Sequence, residues 1–281
     1  MKRIDIDFRQ PQVMAIVNVT EDSFYAKSRM AGAEAVRERV RQALAEGATI
    51  IDVGGYSSRP GAADVPLAEE WERVNMALAA IREVDAEVAI SIDTFRAEVV
   101  RRAVAGYGPV IVNDITAGEG DADMVPTVAS LDVPYVAMHM RGTPQTMQHL
   151  TDYEDVTGEV CAYLRDRAQE LERAGVRPEN IILDPGFGFA KSTEQCYKLL
   201  GELNYLCALD YPVLVGVSRK SMIYRLLDTT PEQALCGTQV VQWEALRQGA
   251  TLLRVHDVRE AVQTIRMFEM FKSQLTETED D

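Results

Sequence analysis

Polar side chains stand at the ends of short apolar runs throughout this sequence. In the stretch from Ile181 to Lys191, three branched apolar residues lead to Asp184, and a proline and glycines then interrupt the strand. A carboxylate at a strand end, beside backbone that a ligand can approach closely, is typical of α/β binding sites. The same arrangement recurs at Asn18, Asp52, Asp93, Asn113, His139, Ser218 and Arg254 with His256.

These residues suit two kinds of ligand. One group offers donors and acceptors for a flat heterocycle with several ring N–H and C=O groups, and it comprises Asp93, Asn113, Asp184 and Lys220. The other group suits an anion and its metal, and it comprises Asn18, Ser58, Arg59, Arg254 and His256. The last two lie at the eighth strand, where barrel phosphate sites are common. The segment 218–221 is predicted to open a helix whose free N–H groups favour negative charge.

The elements that carry these residues alternate between short strands and helices from Gln12 to about Lys272. Such alternation predicts a parallel sheet. Eight strand–helix units favour a closed (β/α)8 TIM barrel, an α/β fold of about 250 residues. An open doubly wound sheet is the alternative, although no Gly-x-Gly-x-x-Gly follows the first strand. We therefore expect a single domain over 1–281, with the barrel at about 12–273 and an acidic, frayed tail at 274–281.

Local patterns predict where helices begin and end. Thr94 is predicted to cap a helix that ends at Ala105, and Asp257 is predicted to cap the last helix. A helical region is predicted from Thr193 to about Leu209, and a helix is predicted at 219–227. A further helix is predicted at 231–247, with Pro231 in its first turn.

Three residues near the strand ends have simpler interpretations than ligand binding. Asp52 is expected either to cap a helix or to lie near Arg59. His139 is expected to be structural, because the sequence has three histidines spread far apart and therefore offers no histidine-rich zinc site. Phe187 is expected to pack in the core.

Composition limits the class of protein. The chain has 281 residues, 47% of them apolar, and a net charge of −15. A non-specific nucleic-acid binder needs a basic face, so that function is excluded. Any anionic ligand must therefore be held by local cations. No apolar run reaches membrane-spanning length, and the four cysteines have no paired spacing, which together predict a cytoplasmic protein with reduced thiols.

Taken together, eight motifs resemble the dihydropteroate synthase family. They run in order from about residue 13 to residue 256, so the resemblance covers nearly the full barrel. The motifs are Asn-Val-Thr-Glu-Asp-Ser-Phe (18–24), Asp-Val-Gly-Gly-Tyr-Ser-Ser-Arg-Pro-Gly (52–61), Ser-Ile-Asp-Thr (91–94), Asn-Asp-Ile (113–115), Met-His-Met-Arg-Gly-Thr-Pro (138–144), Asp-Pro-Gly-Phe-Gly-Phe (184–189), Ser-Arg-Lys-Ser (218–221) and Arg-Val-His (254–256).

The resemblance implies that the enzyme joins 6-hydroxymethyl-7,8-dihydropterin diphosphate to 4-aminobenzoate, giving 7,8-dihydropteroate and diphosphate in folate synthesis. It implies a pterin site formed by Asp93, Asn113, Asp184 and Lys220, with Met138 and Phe189 packed around the ring. It implies diphosphate contacts, or contacts to a covering loop, from Ser58, Arg59, Arg254 and His256, and it adds Ser221 to the substrate-binding residues. Asn18 would ligate Mg²⁺. The residues expected to act in catalysis are Asp93, Lys220, Arg254 and His256.

The resemblance also implies a homodimer through outer helices, and inhibition by sulfonamides that compete with 4-aminobenzoate. The apolar residues of the last helix, Met267, Phe268, Met270 and Phe271, are expected to divide between that interface and the core. Nucleic-acid and membrane partners are not expected.

The chain departs from the family pattern in the segments after the first two strands. It has Glu21, Tyr56 and Ser58 where the family commonly has Pro, Glu and Thr. Two other activities remain open from the sequence. One is transfer of a methyl group from methyltetrahydrofolate to a corrinoid, and the other is pterin binding without catalysis.

Overall fold

The computed structural model describes residues 4, 6–19, 29–56 and 64–276. Within these ranges, no helix is long and apolar enough to cross a membrane. The eight strands are β1 (Gln12–Asn18), β2 (Ile50–Gly54), β3 (Ala89–Asp93), β4 (Ile111–Asp114), β5 (Tyr135–Met138), β6 (Ile181–Asp184), β7 (Leu214–Val215) and β8 (Leu252–Val255). The helices are α1 (Arg29–Glu46), α2 (Leu67–Val84), α3 (Ala97–Tyr107), α4 (Met124–Leu131), α5 (Val156–Arg173), α6 (Thr193–Gly201), α7 (Asn204–Cys207), α8 (Ser221–Tyr224), α9 (Leu235–Arg247) and α10 (Val258–Thr276).

The strands form one parallel sheet that closes on itself. The hydrogen-bonded order is β6-β5-β4-β3-β2-β1-β8-β7, and an isolated parallel bridge between Leu183 and Val213 joins the two edges. The Leu183 N–H donates to the Pro212 carbonyl at 2.9 Å across that seam. The predicted single-domain (β/α)8 barrel is therefore confirmed, and the open sheet is excluded.

Alternation along the strands separates two apolar layers. Side chains of one parity fill the barrel interior, namely Met14, Ile50, Ile111, Val136, Ile182, Leu214 and Leu252. Side chains of the other parity pack against the surrounding helices in a much larger cluster. Successive strand residues point to opposite faces, so every second residue of a strand faces the barrel interior. The polar residues at the carboxyl ends belong to this interior-facing set.

The starts of α3 and α10 test the two predicted caps. Thr94 does not cap α3, because the helix begins only at Ala97: the Thr94 hydroxyl donates to the buried Glu70 carboxylate at 2.6 Å and accepts the N–H of Arg96, the residue before the helix, at 3.2 Å. The first N–H of α3 is instead satisfied by Asp121, whose carboxylate accepts from Ala97 at 2.8 Å. Asp257 stands at the predicted N-cap position of α10, where its carbonyl accepts the Ala261 N–H at 3.1 Å, whereas its carboxylate accepts two hydrogen bonds from Arg219.

The helical segments after β6 and β7 are more broken than predicted. The segment predicted at 193–209 divides into α6 and α7, since α6 ends at Gly201. The segment predicted at 219–227 is helical only in the single turn of α8, because Arg219 adopts a left-handed φ of 55° that a continuous helix does not allow. Pro231 opens a short 3-10 turn before α9. The last helix continues to Thr276, into the predicted tail.

Candidate active site

The residues at the carboxyl ends of the strands share one rim. Strand register places Asn18 beside Gly54, Gly54 beside Asp93, and Asp93 beside Asn113. On the other side of the barrel, Met138 lies beside Asp184. All these residues have the interior parity of their strands, so residues far apart in the sequence meet around one mouth. The predicted convergence is thus correct for the residues that the structure describes.

Arg254 of β8 lies between two carboxylates in the barrel interior. Its Nε donates to Asp52 Oδ2 at 2.8 Å, and its Nη2 donates to Asp93 Oδ2 at 2.8 Å. The sequence predicted that this guanidinium would be available to an anion. In the structure, two of its three nitrogens are engaged by protein carboxylates, and only Nη1 has no hydrogen bond to the described part of the chain. The reason is burial: a guanidinium inside a barrel must be compensated.

Asp52 does not cap a helix: it is fully buried, its Oδ2 accepts from Arg254, and its Oδ1 lies 3.4 Å from the amide nitrogen of Asn113. Asp52 therefore orients the guanidinium of Arg254 and contacts the side chain of Asn113 from inside the barrel. The other predicted interpretation, a place near Arg59, stays a prediction. Ser58 and Arg59, which were predicted to bind the diphosphate, lie outside the described residues.

Asp93 is held in an environment that disfavours its charge. Burial is the main cause that raises the pKa of Asp93, to about 7. The positive charge of Arg254 lowers this pKa, and the negative charge of Asp52 raises it. The carboxyl group of Asp93 is thus half protonated near neutral pH. A carboxyl with such a perturbed pKa at a rim is characteristic of a functional site.

This raised pKa predicts a pH dependence of stability that belongs to Asp93. The folded state holds the proton up to about pH 7, whereas the unfolded chain releases it near pH 3.8. Asp93 therefore contributes stability that is complete below pH 3.8 and is lost as the pH rises to about 7, with a slope of up to about 1.4 kcal/mol per pH unit. In Asp93→Asn, urea unfolding at pH 5 and pH 7.5 should show a smaller loss of stability with rising pH than in the wild type. An identical loss in both proteins would contradict the assignment.

Asp184 is also buried, and its backbone surroundings orient it. It is 7% exposed, and its Oδ1 accepts the Gly186 N–H at 2.7 Å. Burial raises its pKa, and the nearby positive charge of Lys220 opposes that rise. One carboxylate oxygen is thus used by the protein, which leaves the other for a ligand.

Lys220 faces the same pocket from the β7 side. Its ammonium donates to the Phe187 carbonyl and lies 4.7 Å from the centre of the Phe189 ring. It makes no direct ion pair with Asp184 within the described structure. Burial lowers its pKa to about 8, and the charge of Asp184 works in the opposite direction. Lys220 remains mainly protonated at neutral pH and can donate to a carbonyl oxygen of a ligand.

The segment after β6, residues 185–190, passes close to the end of β5. Gly186 has a φ of +68°, and a Cβ at this position would lie 2.0 Å from the His139 carbonyl oxygen. Only glycine fits there. Phe187 is 1% exposed, as predicted for a packing residue, whereas Phe189 is half-buried and turned towards Lys220. We call residues 185–190 the β6 loop.

One buried pair beside this loop was not singled out from the sequence. Lys191 Nζ lies 2.9 Å from Nδ1 of His139, and both residues are buried. Burial lowers the pKa of His139 to about 3, with the charge of Lys191 as the next cause. His139 is therefore a neutral, structural histidine, as expected. The only signal for Lys191 in the sequence was its position directly after the strand-end motif.

His256 and the β7 end form the remaining wall of the rim. Nδ1 of His256 lies 3.1 Å from the Ser218 hydroxyl, which also accepts the His256 N–H at 3.2 Å. Burial lowers the pKa of His256 to about 4, and the charges of Arg254 and Arg219 lower it further. His256 is thus neutral at pH 7 and can offer an anion a hydrogen bond but no charge.

The prediction of free N–H groups at 218–221 is wrong in part. The Arg219 N–H donates to the Thr238 hydroxyl at 3.1 Å, and the Lys220 N–H donates to the Val217 carbonyl at 3.2 Å. Only the single turn of α8 follows, so there is no extended helix dipole. Ser221, its first residue, is half-buried at the rim.

The donor set at Asn18 fits Mg²⁺ better than a metal that needs several protein ligands. Within the described ranges, no group of three or more His, Cys, Asp or Glu side chains could hold a metal ion. Mg²⁺ prefers oxygen ligands and keeps several waters or phosphate oxygens, so one carboxamide oxygen is an adequate anchor. Gly54, between Asn18 and Asp93, leaves the intervening space free of a side chain, and a Cβ there would lie 3.1 Å from that of Asp93.

A separate cavity of about 820 Å³ lies at the opposite end of the barrel. Its walls include Ile6, Gln12, Thr49, Val88 and Pro109, all before or at the amino ends of strands. None of the rim residues lines it. Because TIM-barrel chemistry takes place at the carboxyl ends, this cavity is not the active site.

Comparison with known proteins agrees with this geometry. Residues 14–256 match the family model described as pterin binding enzyme. The dihydropteroate synthase of Haemophilus influenzae is 40% identical over 264 residues, which cover 94% of this chain and 95% of the relative. The rim and the barrel together define a pterin-binding barrel enzyme.

Two solved structures have the same fold over nearly their whole length. Xanthomonas albilineans dihydropteroate synthase with 4-aminobenzoic acid has a TM-score of 0.86 and 39% identity, covering 94% of both chains. The same enzyme in complex with 7,8-dihydropteroate has a TM-score of 0.84 and 36% identity, covering 95% of both chains. This chain belongs to the dihydropteroate synthase family.

Proposed function

We infer that the protein condenses 6-hydroxymethyl-7,8-dihydropterin diphosphate with 4-aminobenzoate to give 7,8-dihydropteroate and diphosphate, a step of folate synthesis. The observation that carries this inference is the gathering of Asp184, Lys220, Asp93 and Arg254 at one rim of a barrel that belongs to this family. The chain is a transferase that moves a pterin-methyl group from oxygen to nitrogen.

The pterin ring would be recognised by complementary hydrogen bonds. Asp184 offers an acceptor for ring N–H groups, and Lys220 offers a donor for the ring carbonyl. Asn113, which is 4% exposed, offers both a donor and an acceptor. Met138 and Phe189 provide apolar surface beside them. These polar groups are buried, so a ring that lacks the matching groups would leave them unpaired at a cost.

The chemistry breaks the C–O bond of the pterin methylene and forms a C–N bond to the amine, which releases a proton. Positive charge grows on the methylene, and an ionised Asp93 stabilises it electrostatically. Arg254 Nη1 and neutral His256 offer hydrogen bonds to the departing diphosphate. Bound Mg²⁺, anchored by Asn18, would neutralise charge on that leaving group. The attacking amine needs only to be positioned, so no covalent intermediate with the protein is required.

A coupled assay of diphosphate release tests this function. The purified protein should release diphosphate from the pterin substrate only when both 4-aminobenzoate and Mg²⁺ are present, and 7,8-dihydropteroate should form in equal amount. Addition of EDTA should abolish release, and excess Mg²⁺ should restore it. Sulfonamides should compete with 4-aminobenzoate. Release without the amine, or no product at all, would overturn the assignment.

The two other activities make different predictions in the same assay. A pterin-binding barrel that transfers methyl groups to a corrinoid requires no diphosphate site, although this chain retains Arg254 and His256 at β8. A silent pterin-binding protein would bind the pterin and release nothing. Within the described ranges, every rim residue that the synthase pattern requires is present, which favours the synthase.

We further propose a homodimer through the outer helices, in the cytoplasm. Phe268 packs against the core, whereas its neighbours on α10 are exposed by 60%, 65% and 58% at Met267, Met270 and Phe271. With Val240 of α9, which is 64% exposed, these residues form what we call the α9–α10 patch. Trp243 lies edge-on to the Phe271 ring at 5.2 Å and makes the patch continuous. Apolar area of this kind favours an interface.

Sedimentation tests the dimer. The double variant Met267→Glu with Phe271→Glu should sediment as a monomer at concentrations where the wild type is a dimer, because two charges would be buried against an apolar partner. Leu226→Glu, at a separate position that is 62% exposed, is the matched control and should stay dimeric. A wild type that sediments as a monomer would refute the proposal.

A further inference from the structure

Lys191 is a buried cation that the proposed reaction does not use. It is 6% exposed and lies between the β6 loop and α6. Its ammonium has three acceptors: His139 Nδ1 at 2.9 Å, the Gly186 carbonyl at 3.1 Å and the Phe189 carbonyl at 3.1 Å. An ammonium has three hydrogens, so this group is fully satisfied and its place is well determined.

The three acceptors belong to two separate segments. Gly186 and Phe189 belong to the β6 loop, and His139 directly follows β5. In addition, the His139 N–H donates to the carbonyl of Asp184, the last residue of β6, at 2.9 Å, which extends the pairing of β5 with β6. The Lys191 ammonium carries the connection one step further, from His139 to the carbonyls of the β6 loop itself. A hydrogen bond made by a charged donor is stronger than one between neutral groups.

The β6 loop also contacts the ammonium of Lys220. The Phe187 carbonyl accepts from the Lys220 ammonium, and the Phe189 ring lies 4.7 Å from it. The loop also supplies the Gly186 N–H that orients Asp184. A shift of the loop would therefore disturb the donor and the acceptor of the pterin pocket together.

The ammonium form of Lys191, on which this tether depends, predominates below about pH 7. Burial lowers the pKa of Lys191 to about 7, while the nearby Cys196 and Asp184 raise it and Lys220 and Arg141 lower it. Neutral His139 can accept through Nδ1, which places its own proton on Nε2. Tyr153 and Tyr163 pack around the imidazole ring and exclude water from it.

We propose that Lys191 is a positioning residue for the pterin pocket: its ammonium ties the β6 loop to His139 and thereby sets the places of Asp184 and Lys220. Lys191 itself does not touch the substrate. The inference rests on the proposed function, because it assigns the pocket to a pterin.

Lys191→Met, which keeps most of the apolar stem and removes the ammonium, tests the proposal in the full-length protein. Binding of pterin-6-carboxylate should weaken by about tenfold, the scale of a hydrogen bond to a charged group. The KM for the pterin substrate should rise similarly, while the KM for 4-aminobenzoate should stay within about twofold. Lys198→Met is the matched control. That lysine lies on α6, is 48% exposed and pairs with Glu202, so its loss should change neither constant.

A rescue experiment separates positioning from general stability. In Lys191→Ala, ethylammonium chloride should restore part of the pterin affinity, whereas tetramethylammonium chloride, which has no N–H, should not. If Lys191→Met fails to fold, Lys191→Gln, which keeps two N–H donors, replaces it. A folded variant with a lower Tm and wild-type pterin affinity would overturn the proposal. Failure of the wild type to bind pterin would instead overturn the proposed function.

Discussion

Replacement of Arg254 by methionine is expected to destabilise the protein by about 3–5 kcal/mol at pH 8, the cost of leaving buried charge without a partner. Arg254 lies between Asp52 and Asp93, and both carboxylates would lose their counterion. The methionine keeps most of the apolar stem, so the loss measures charge compensation more than packing. Urea unfolding at equilibrium gives the free energy directly.

The pH dependence of this loss identifies its cause. Without Arg254, the pKa of Asp93 rises further, because the guanidinium charge that lowers it is gone, and below pH 5 this carboxyl group is protonated in the folded state. The destabilisation should therefore be smaller at pH 5 than at pH 8. Arg247→Met is the matched control, because that arginine pairs with Glu244 on the surface and should cost at most about 1 kcal/mol. An equal loss at both pH values would rule out uncompensated carboxylates as the cause.

Arg254 should also distinguish the diphosphate substrate from a bare pterin. We expect Arg254→Met to reduce kcat/KM for the diphosphate substrate by far more than it weakens binding of 6-hydroxymethylpterin, which has no anionic group, because Nη1 is the part of the guanidinium that is left for the leaving group. Both measurements are made at pH 6.5 on protein shown to be folded by circular dichroism. Equal losses for the two ligands would place the anion site elsewhere.

Asp184→Asn should weaken pterin binding by about 1.5–3 kcal/mol, which is roughly one to two orders of magnitude in Kd. The asparagine carbonyl can still accept the Gly186 N–H, so the β6 loop keeps its place. The other oxygen becomes a donor and would face the donors of the pterin ring. Since burial raises the pKa of Asp184, the neutral side chain should cost little stability. Titration calorimetry with pterin-6-carboxylate measures the affinity.

Asp114→Asn is the control for Asp184→Asn, because it should lower stability and leave pterin affinity unchanged. Asp114 is also a fully buried strand-end carboxylate, and it accepts from the Tyr135 hydroxyl at 2.7 Å and the Gly118 N–H at 2.9 Å. These contacts are structural and lie on the helix side of β4. The variant should lose stability and bind the pterin within about twofold of the wild type. If Asp184→Asn keeps wild-type pterin affinity, the pterin site has been placed wrongly.

The sequence alone determined the barrel and the identity of most rim residues. Asp93, Asn113 and Asp184 were identifiable because each ends an apolar run, and a parallel barrel brings all such ends to one face. Alternation also determined their parity, since Asn113 and Asp184 each lie two residues beyond an interior apolar residue and Asp93 lies four residues beyond Ala89. These inferences need only local patterns and one rule of topology.

The tertiary structure decided which of these residues touch and how they are charged. Arg254 bonds to Asp52 across 202 positions and to Asp93 across 161, and Lys191 bonds to His139 across 52. No local pattern encodes such contacts, because they depend on how the closed barrel staggers its strands and on which side chains share its interior. Burial then set the charges, raising the pKa of Asp93 and lowering that of His256. Desolvation is a property of the assembled interior and not of the residue type, which is why the sequence supplied the groups while only the fold supplied their protonation.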